Sequence, residues 1–196
     1  MKRIAATLAL GLLVALLMGT GVASAAGTAG HDLATGHVTD ATMITLIPQP
    51  PVCTPFGCTP QPPQQFVSTA DVDFSAKSSF NGTNPTGSVR FTFRNENPDQ
   101  VFTGDVTCLS VQGGLARLSG PITDARGGST LTAGGRVFEP RSFVITAFDS
   151  GKGDPNPDSL GFVLSSAPAT DVTCTTQDAP TVPVREGEVV VRDALG

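Results

Sequence analysis

Tryptophan and tyrosine are absent from this chain of 196 residues, in which phenylalanine occurs 11 times. Proteins that hold sugars or nucleic-acid bases commonly stack them against tryptophan or tyrosine rings. The chain therefore lacks the usual stacking surface of such proteins. Its phenylalanines all follow the N-terminal segment described below, and they supply enough apolar bulk for one hydrophobic core.

Histidine is also scarce, and the only two, His31 and His37, lie in an N-terminal stretch that we expect to be flexible. A Ser-His-Asp triad needs an imidazole held in one orientation, and no Gly-x-Ser-x-Gly elbow is present. A glycosidase needs two carboxylates in a cleft, whereas Asp71 and Asp73 fall on the outward side of a predicted strand. The sequence therefore predicts a non-enzymatic protein without a cofactor.

Basic residues are outnumbered, with 12 Lys and Arg against 17 Asp and Glu, for a formal net charge of −5. Removal of residues 1–25 would take away Lys2 and Arg3, which leaves 10 basic against 17 acidic residues and a net charge of −7. An acidic chain without a basic stripe is a poor partner for nucleic acid or for anionic membrane surfaces. Both are therefore disfavoured as partners.

Residues 1–25 have the organisation of a secretory signal peptide. Lys2 and Arg3 are followed by the apolar run Ile4–Met18 and by Ala23-Ser24-Ala25, a small-x-small cleavage pattern. The alternative is an uncleaved membrane anchor, but this run is short for a span, which needs about 20 residues. We therefore predict a secreted protein, extracellular or associated with the cell envelope, with no membrane span after cleavage.

The four cysteines all follow the predicted signal peptide, and an even number in an oxidising compartment favours disulfides. Three pairings are possible, and we favour Cys53–Cys58 with Cys108–Cys174. The first would close a small loop bent by proline and glycine, and the second would join two Asp-Val-Thr-Cys segments. Zinc is the competing use of cysteine, but the pair at 108 and 174 has neither the spacing nor the histidine partners that zinc prefers.

Residues 26–65 have the composition of a flexible linker. Ala, Gly and Thr dominate first, and seven of the chain's 16 prolines lie between residues 47 and 65. Proline-rich segments favour extended conformations that pack no core, so we predict a disordered stalk. Within it, Thr39–Ile47 allows either a short strand or a helical turn.

An all-β domain is predicted over residues 66–196. Its central hairpin is Gly87–Val111, in which Val89, Phe91 and Phe93 alternate with polar residues, the period of a half-buried strand. About eight short antiparallel strands joined in a meander favour a small barrel, with a two-layer β-sandwich as the alternative. The predicted strands are Val72–Ala76, Gly87–Asn95, Val101–Val111, Leu115–Thr123, Arg136–Asp149, Leu160–Leu164, Thr170–Thr175 and Gly187–Asp193.

The loop from residue 149 to residue 158 is the candidate metal site. Asp149, Asp154, Asn156 and Asp158 would offer oxygen ligands to Ca²⁺ on a backbone that glycines allow to turn sharply. The spacing does not follow the helix–loop–helix calcium pattern, and Lys152 lies among the acids. The alternative is a solvated polar loop between two strands.

The segments 104–120 and 144–164 together resemble a group of small, uncharacterised exported proteins of high-GC Gram-positive bacteria. The pattern is Gly-x-Val-x-Cys-Leu-x-Val with a following Ala-x-x-x-Gly strand, then a glycine-rich loop with two aspartates. The resemblance implies a β-rich exported domain, and it supplies neither an activity nor a site residue. The matching positions are Gly104, Val106, Cys108, Leu109, Val111, Ala116, Gly120, Asp149 and Asp158.

Three functions are consistent with this sequence. The leading one is a non-enzymatic interaction module that binds an extracellular protein or a cell-wall component. The first alternative is a carrier that holds a small apolar ligand inside the barrel, with Phe91, Phe93 and Phe162 lining a hollow interior. The second is a secreted hydrolase inhibitor that makes contact through the rigid loop 149–158.

Overall fold

The computed structural model does not describe every residue, and the predicted signal peptide at 1–25 lies outside the described part. The described residues are 30–47, 51–61, 64–79, 82–94, 98–133, 135–152, 155–171, 173–174 and 179–194.

Fourteen strands and one 3₁₀ turn account for the regular structure of the described residues. They are β1 (Asp32–Ile47), β2 (Val52–Thr54), β3 (Gly57–Thr59), β4 (Gln64–Ser78), β5 (Thr86–Phe93), β6 (Gln100–Asp105), β7 (Cys108–Gln112), β8 (Leu115–Arg126), β9 (Leu131–Ala133), β10 (Arg136–Phe138), β11 (Ser142–Phe148), β12 (Ser159–Ser165), the 3₁₀ turn Ala169–Asp171, β13 (Val182–Pro183) and β14 (Glu186–Arg192).

Seven of these strands close into a barrel, which confirms the all-β barrel and excludes the two-layer sandwich. The order is β1-β4-β5-β6-β8-β11-β12, with antiparallel neighbours, and β12 then pairs in parallel with β1 through Met43 and Phe162. The path from β4 to β12 is largely the predicted meander. Strands β7, β13 and β14 extend the sheet beside β8, β12 and β1.

Strand β1 differs from the expected linker over residues 26–65. Asp32–Ile47 is the longest described strand, and it pairs with β4 over nearly its whole length. The folded part therefore includes residue 32 rather than beginning near residue 66. Residues 52–59, also placed in the linker, form the small hairpin β2–β3.

A β-bulge in β1 explains why the alternation of this strand is hidden in the sequence. Thr39 and Asp40 together lie opposite Asp71, between the pairs that Val38 and Ala41 make with β4. Before the bulge the buried apolar residues occupy even positions, as Val38 does; after it they occupy odd positions, as Ala41 does. The extra residue thus keeps the apolar side chains inside the barrel while it reverses their parity along the chain.

Phenylalanine rings fill the middle of the barrel. Phe91, Phe102, Phe143 and Phe162 have no surface that a water molecule could reach. The ring of Phe91 lies 5.0 Å from that of Phe162 and 5.9 Å from that of Phe143, and Phe93 lies 6.0 Å from Phe102, all centroid to centroid. These contacts are the expected distances for packed aromatic pairs. The packing at this level argues against a hollow interior that carries an apolar ligand.

Two glycines make room for these rings within strands. A Cβ atom at Gly36 would lie 2.4 Å from Cε1 of Phe74, and one at Gly104 would lie 2.6 Å from the backbone oxygen of Pro121 and 2.8 Å from Cε1 of Phe143. No side chain fits at such distances. Glycine inside a strand weakens it, so its presence here is explained by the close approach of an aromatic ring at Gly36 and of both a ring and the neighbouring backbone at Gly104.

Both predicted disulfides are present. The bond between Cys108 and Cys174 joins the start of β7 to the connection after β12, and Cys174 is fully buried. The predicted strand Thr170–Thr175 is wrong, because Ala169–Asp171 forms a 3₁₀ turn and Cys174 lies in a turn. The sulfur bridge ties this segment to the barrel.

Candidate functional site

The two aspartates at the ends of the predicted calcium loop bind strand β14. Oδ2 of Asp149 accepts the N–H of Val191 at 2.9 Å, and Oδ2 of Asp158 accepts the N–H of Val189 at 3.2 Å. Asp158 Oδ1 also accepts the N–H and the hydroxyl of Ser150, at 3.1 and 3.0 Å. The carboxylates therefore take the place of a further strand along this edge of β14.

The described structure does not show a role for the other two predicted calcium ligands at this loop. Asn156 is exposed, and Asp154 lies outside the described residues. Among the residues that are described, no group of three or more His, Cys, Asp or Glu side chains could hold a metal ion. Calcium at this loop stays a prediction, and the two described aspartates have a structural role that accounts for them.

The histidines and acids considered for catalysis also have definite places. His37 lies on strand β1 rather than in a flexible stretch, and its Nδ1 contacts the carboxylate of Asp73 on the outer face of the barrel. Both side chains are about half exposed or more, so this pair stands on an open surface. Asp71, expected to face water, is buried because the bulge of β1 and the ion-paired guanidinium of Arg94 cover it.

The most unusual surface of the described chain is the β2–β3 hairpin, which stands at the far end of the β1–β4 ladder. Every residue from 51 to 61 is exposed, and the side chain of Phe56 at the tip is 100% exposed. The disulfide between Cys53 and Cys58 bridges the two short strands directly below that tip. We call residues 52–59 the Phe56 loop.

The turn of the Phe56 loop is held by several constraints at once. Thr54 pairs with Gly57 across the hairpin, so Pro55 and Phe56 form the turn itself. The hydroxyl of Thr54 accepts the N–H of Phe56 and donates to the carbonyl of Gly57, both at 3.3 Å. Gly57 has a φ of 143°, which favours glycine, while Pro55 restricts its own φ. The aromatic side chain is therefore presented on a constrained backbone.

Charge is absent from the surroundings of this loop along the chain. No Asp, Glu, Lys or Arg occurs between Asp40 and Asp71. The remaining exposed surface of the loop comes from threonine, proline and Val52, which is 54% exposed. The sequence does not single out this site, because its proline content indicates a spacer. The available signal was a single phenylalanine enclosed by two closely spaced cysteines.

Comparisons with protein-family models, with curated proteins and with solved structures found no match to this chain. The resemblance to exported proteins of high-GC Gram-positive bacteria therefore stays a prediction. Among the residues that the structure describes, no helix has the length and apolar character needed to cross a membrane.

Proposed function

We propose that the protein is an exported, non-enzymatic interaction module that binds an extracellular or cell-envelope protein by inserting Phe56 into an apolar pocket of that partner. The observation that carries this proposal is the complete exposure of Phe56 on a disulfide-closed turn. Large aromatic residues that anchor interfaces are fully desolvated in the complex and dominate its binding energy.

Energetics favour such a contact. Full burial of a phenylalanine side chain contributes about 1.5–3 kcal/mol, which corresponds to roughly a 10- to 150-fold gain in affinity. Binding normally loses part of this gain because side chains and loops become ordered. The disulfide and the hydrogen bonds of Thr54 restrict the loop before binding, so less of that entropy remains to be lost.

A protein pocket suits this loop better than a lipid surface. Peripheral membrane binding by a small apolar group needs a second signal, usually a basic patch, because even one acyl chain gives only marginal binding. No basic residue occurs between Asp40 and Asp71. A single exposed phenylalanine without basic neighbours is therefore insufficient for a stable membrane contact.

Export is part of the same proposal. Two disulfides join the cysteines of the described chain, and such bonds form and persist in oxidising compartments. The predicted signal peptide over residues 1–25 supplies the route. Outside the cell the bond between Cys53 and Cys58 would stay oxidised, so the loop would keep its constrained backbone when it meets a partner protein.

Site-specific photo-crosslinking tests the proposal. A benzophenone amino acid placed at position 56 should form a saturable adduct with one envelope or secreted protein, and unlabelled wild-type protein should compete the adduct away. Phe56→Ala should compete at least about tenfold less well, because the buried ring is lost. The matched control places the photo-label at Val137, which is 67% exposed on β10.

The result that contradicts the proposal is equal labelling from positions 56 and 137, or full competition by Phe56→Ala. A hydrolase among the labelled proteins, inhibited by wild-type protein and not by Phe56→Ala, would identify the contact as inhibitory. Labelling of lipid alone would overturn the choice of a protein partner.

A further inference from the structure

One edge of strand β4 is left without a neighbour over seven residues. Strand β5 pairs with this edge from Asp71 to Lys77, whereas β1 runs along the other edge as far as Gln64. Among the strands that the structure describes, none pairs with the first edge from Gln64 to Ala70. We call this stretch the free edge of β4. Only one of its ends meets β5, so the stretch is open toward the Phe56 loop.

The backbone of the free edge is extended and offers hydrogen bonds to a further strand. Gln64–Ser78 is one continuous strand, and none of residues 64–70 has a positive φ. A strand without a neighbour presents a row of unpaired N–H and C=O groups along its open side. A cavity of about 320 Å³ lies beside Val67, Ser68 and Thr69, which leaves space along the middle of this stretch.

The free edge lacks the features with which soluble proteins usually protect an exposed strand. Such protection comes from charged side chains, proline, β-bulges or a covering segment. Residues 64–70 contain no charge and no proline, and the bulge in the β1–β4 ladder lies beyond them, opposite Asp71. Val67, at the centre, is 65% exposed. An uncharged segment of this composition favours pairing with another strand.

We propose that the free edge of β4 pairs with the same edge of a second copy of this chain, so that two sheets join across a two-fold axis. In an antiparallel pair, such an axis brings identical segments opposite one another in reverse order. The pairing that uses residues 64–70 of both copies places Val67 opposite Val67.

The absence of charge selects a second copy as the occupant. A foreign strand could be matched by complementary charges, whereas a charge at the centre of a two-fold contact would face its own copy. No Asp, Glu, Lys or Arg occurs between Asp40 and Asp71, so the two copies meet without such repulsion. This contact is separate from the Phe56 loop and does not depend on the function proposed for it.

Analytical ultracentrifugation of the chain without residues 1–25 tests the proposal. The protein should pass from monomer to dimer as its concentration rises, with a Kd between about 1 μM and 1 mM, because a short strand pair buries less surface than a standard interface. Hydrogen exchange over the same concentration series should slow at amides within residues 64–70 and change little in the other strands.

Two valines of similar exposure give matched variants. Val67→Lys should weaken dimerisation at least about tenfold, because it places two ammonium groups at the two-fold axis. Val137→Lys should not, since this valine is 67% exposed on β10, away from the free edge. Phe56→Ala should dimerise as the wild-type protein does, which separates this contact from the Phe56 loop.

A monomer at every concentration up to about 1 mM would overturn the proposal, even if another secreted protein protected the same edge. Equal weakening by Val67→Lys and Val137→Lys, loss of the dimer in Phe56→Ala, or slower exchange confined to other strands would also overturn it. The exchange series uses the wild-type sequence, so it remains decisive if Val67→Lys fails to fold.

Discussion

Phe91 and Phe56 have the same side chain in opposite environments. Phe91 is fully buried and packs against two other rings, whereas Phe56 is fully exposed at the tip of a hairpin. Each lies in a region with one disulfide. In the barrel the disulfide adds to a packed core, while in the Phe56 loop it is the principal constraint on a segment that buries no side chain.

The comparison separates stability from recognition. Residues of the barrel gain free energy by leaving water during folding. Residues of the Phe56 loop remain exposed, and the whole side chain of Phe56 stays available for a partner. Substitutions in the two regions should therefore change different measurable quantities.

The largest effect is expected for Phe91→Ala. Loss of the ring leaves a cavity against Phe143 and Phe162 and should lower the free energy of unfolding by about 3–5 kcal/mol. Urea denaturation followed by circular dichroism measures it. Phe56→Ala is the matched control, and it should leave the denaturation midpoint unchanged because its ring contacts no core residue. Similar destabilisation by both variants would show that Phe56 also contributes to the stability of the fold.

Removal of the core disulfide is expected to have the next largest effect. The double variant Cys108→Ala and Cys174→Ala should lose about 2–5 kcal/mol of unfolding free energy. The bond joins positions 66 residues apart, and its loss frees the unfolded chain from this restriction. Chemical denaturation without reductant gives the value. A midpoint equal to that of wild type would mean that packing alone holds the segment around position 174 in place.

Asp158→Ala should have a smaller effect within the same barrel. The change leaves the N–H groups of Ser150 and Val189 without their acceptor and should cost about 1–3 kcal/mol. Faster hydrogen exchange at Val189 should accompany the loss. Asp124→Ala is the control, because this exposed acid pairs with the exposed side chain of Arg126 and should change stability little.

The result for Asp158 also separates two roles. If calcium occupied loop 149–158 in addition, millimolar calcium should raise the melting temperature of wild-type protein and chelator should lower it. An unchanged melting temperature under both conditions would leave the aspartates with the structural role alone.

The sequence predicted the parts of the fold in which local and global patterns agree. The alternation of Val89, Phe91 and Phe93 was sufficient for β5, and the pairing of Cys108 with Cys174 followed from matched contexts. The sequence places most of strand β1 in the linker, because the bulge at Asp40 interrupts the alternation of its buried residues. The sequence around the bulge does not reveal it, because the bulge arises from the pairing of Thr39 and Asp40 with Asp71 on another strand.

The candidate sites were less predictable than the fold for a different reason. The sequence singles out Asp149 and Asp158 as possible calcium ligands, whereas in the structure they accept hydrogen bonds from backbone N–H groups of β14, 42 and 31 residues further along the chain. The position of the Phe56 loop depends on the pairing of β1 with β4 on either side of a proline-rich segment. Both are properties of topology, and composition carries no record of them.

The smallest effect on stability is expected for the double variant Cys53→Ser and Cys58→Ser, although it should weaken binding through Phe56. Loss of this bond frees the hairpin in the folded state as well as in the unfolded state, so the two entropy changes largely cancel and the free energy of unfolding should change by no more than about 0.5 kcal/mol. Binding has no such cancellation, because a mobile loop must be ordered in the complex. Denaturation and competition for the position-56 adduct, measured on the same sample, give both quantities. A large loss of stability would show that the hairpin contributes to the barrel, and unchanged competition would show that the partner does not depend on a preformed turn.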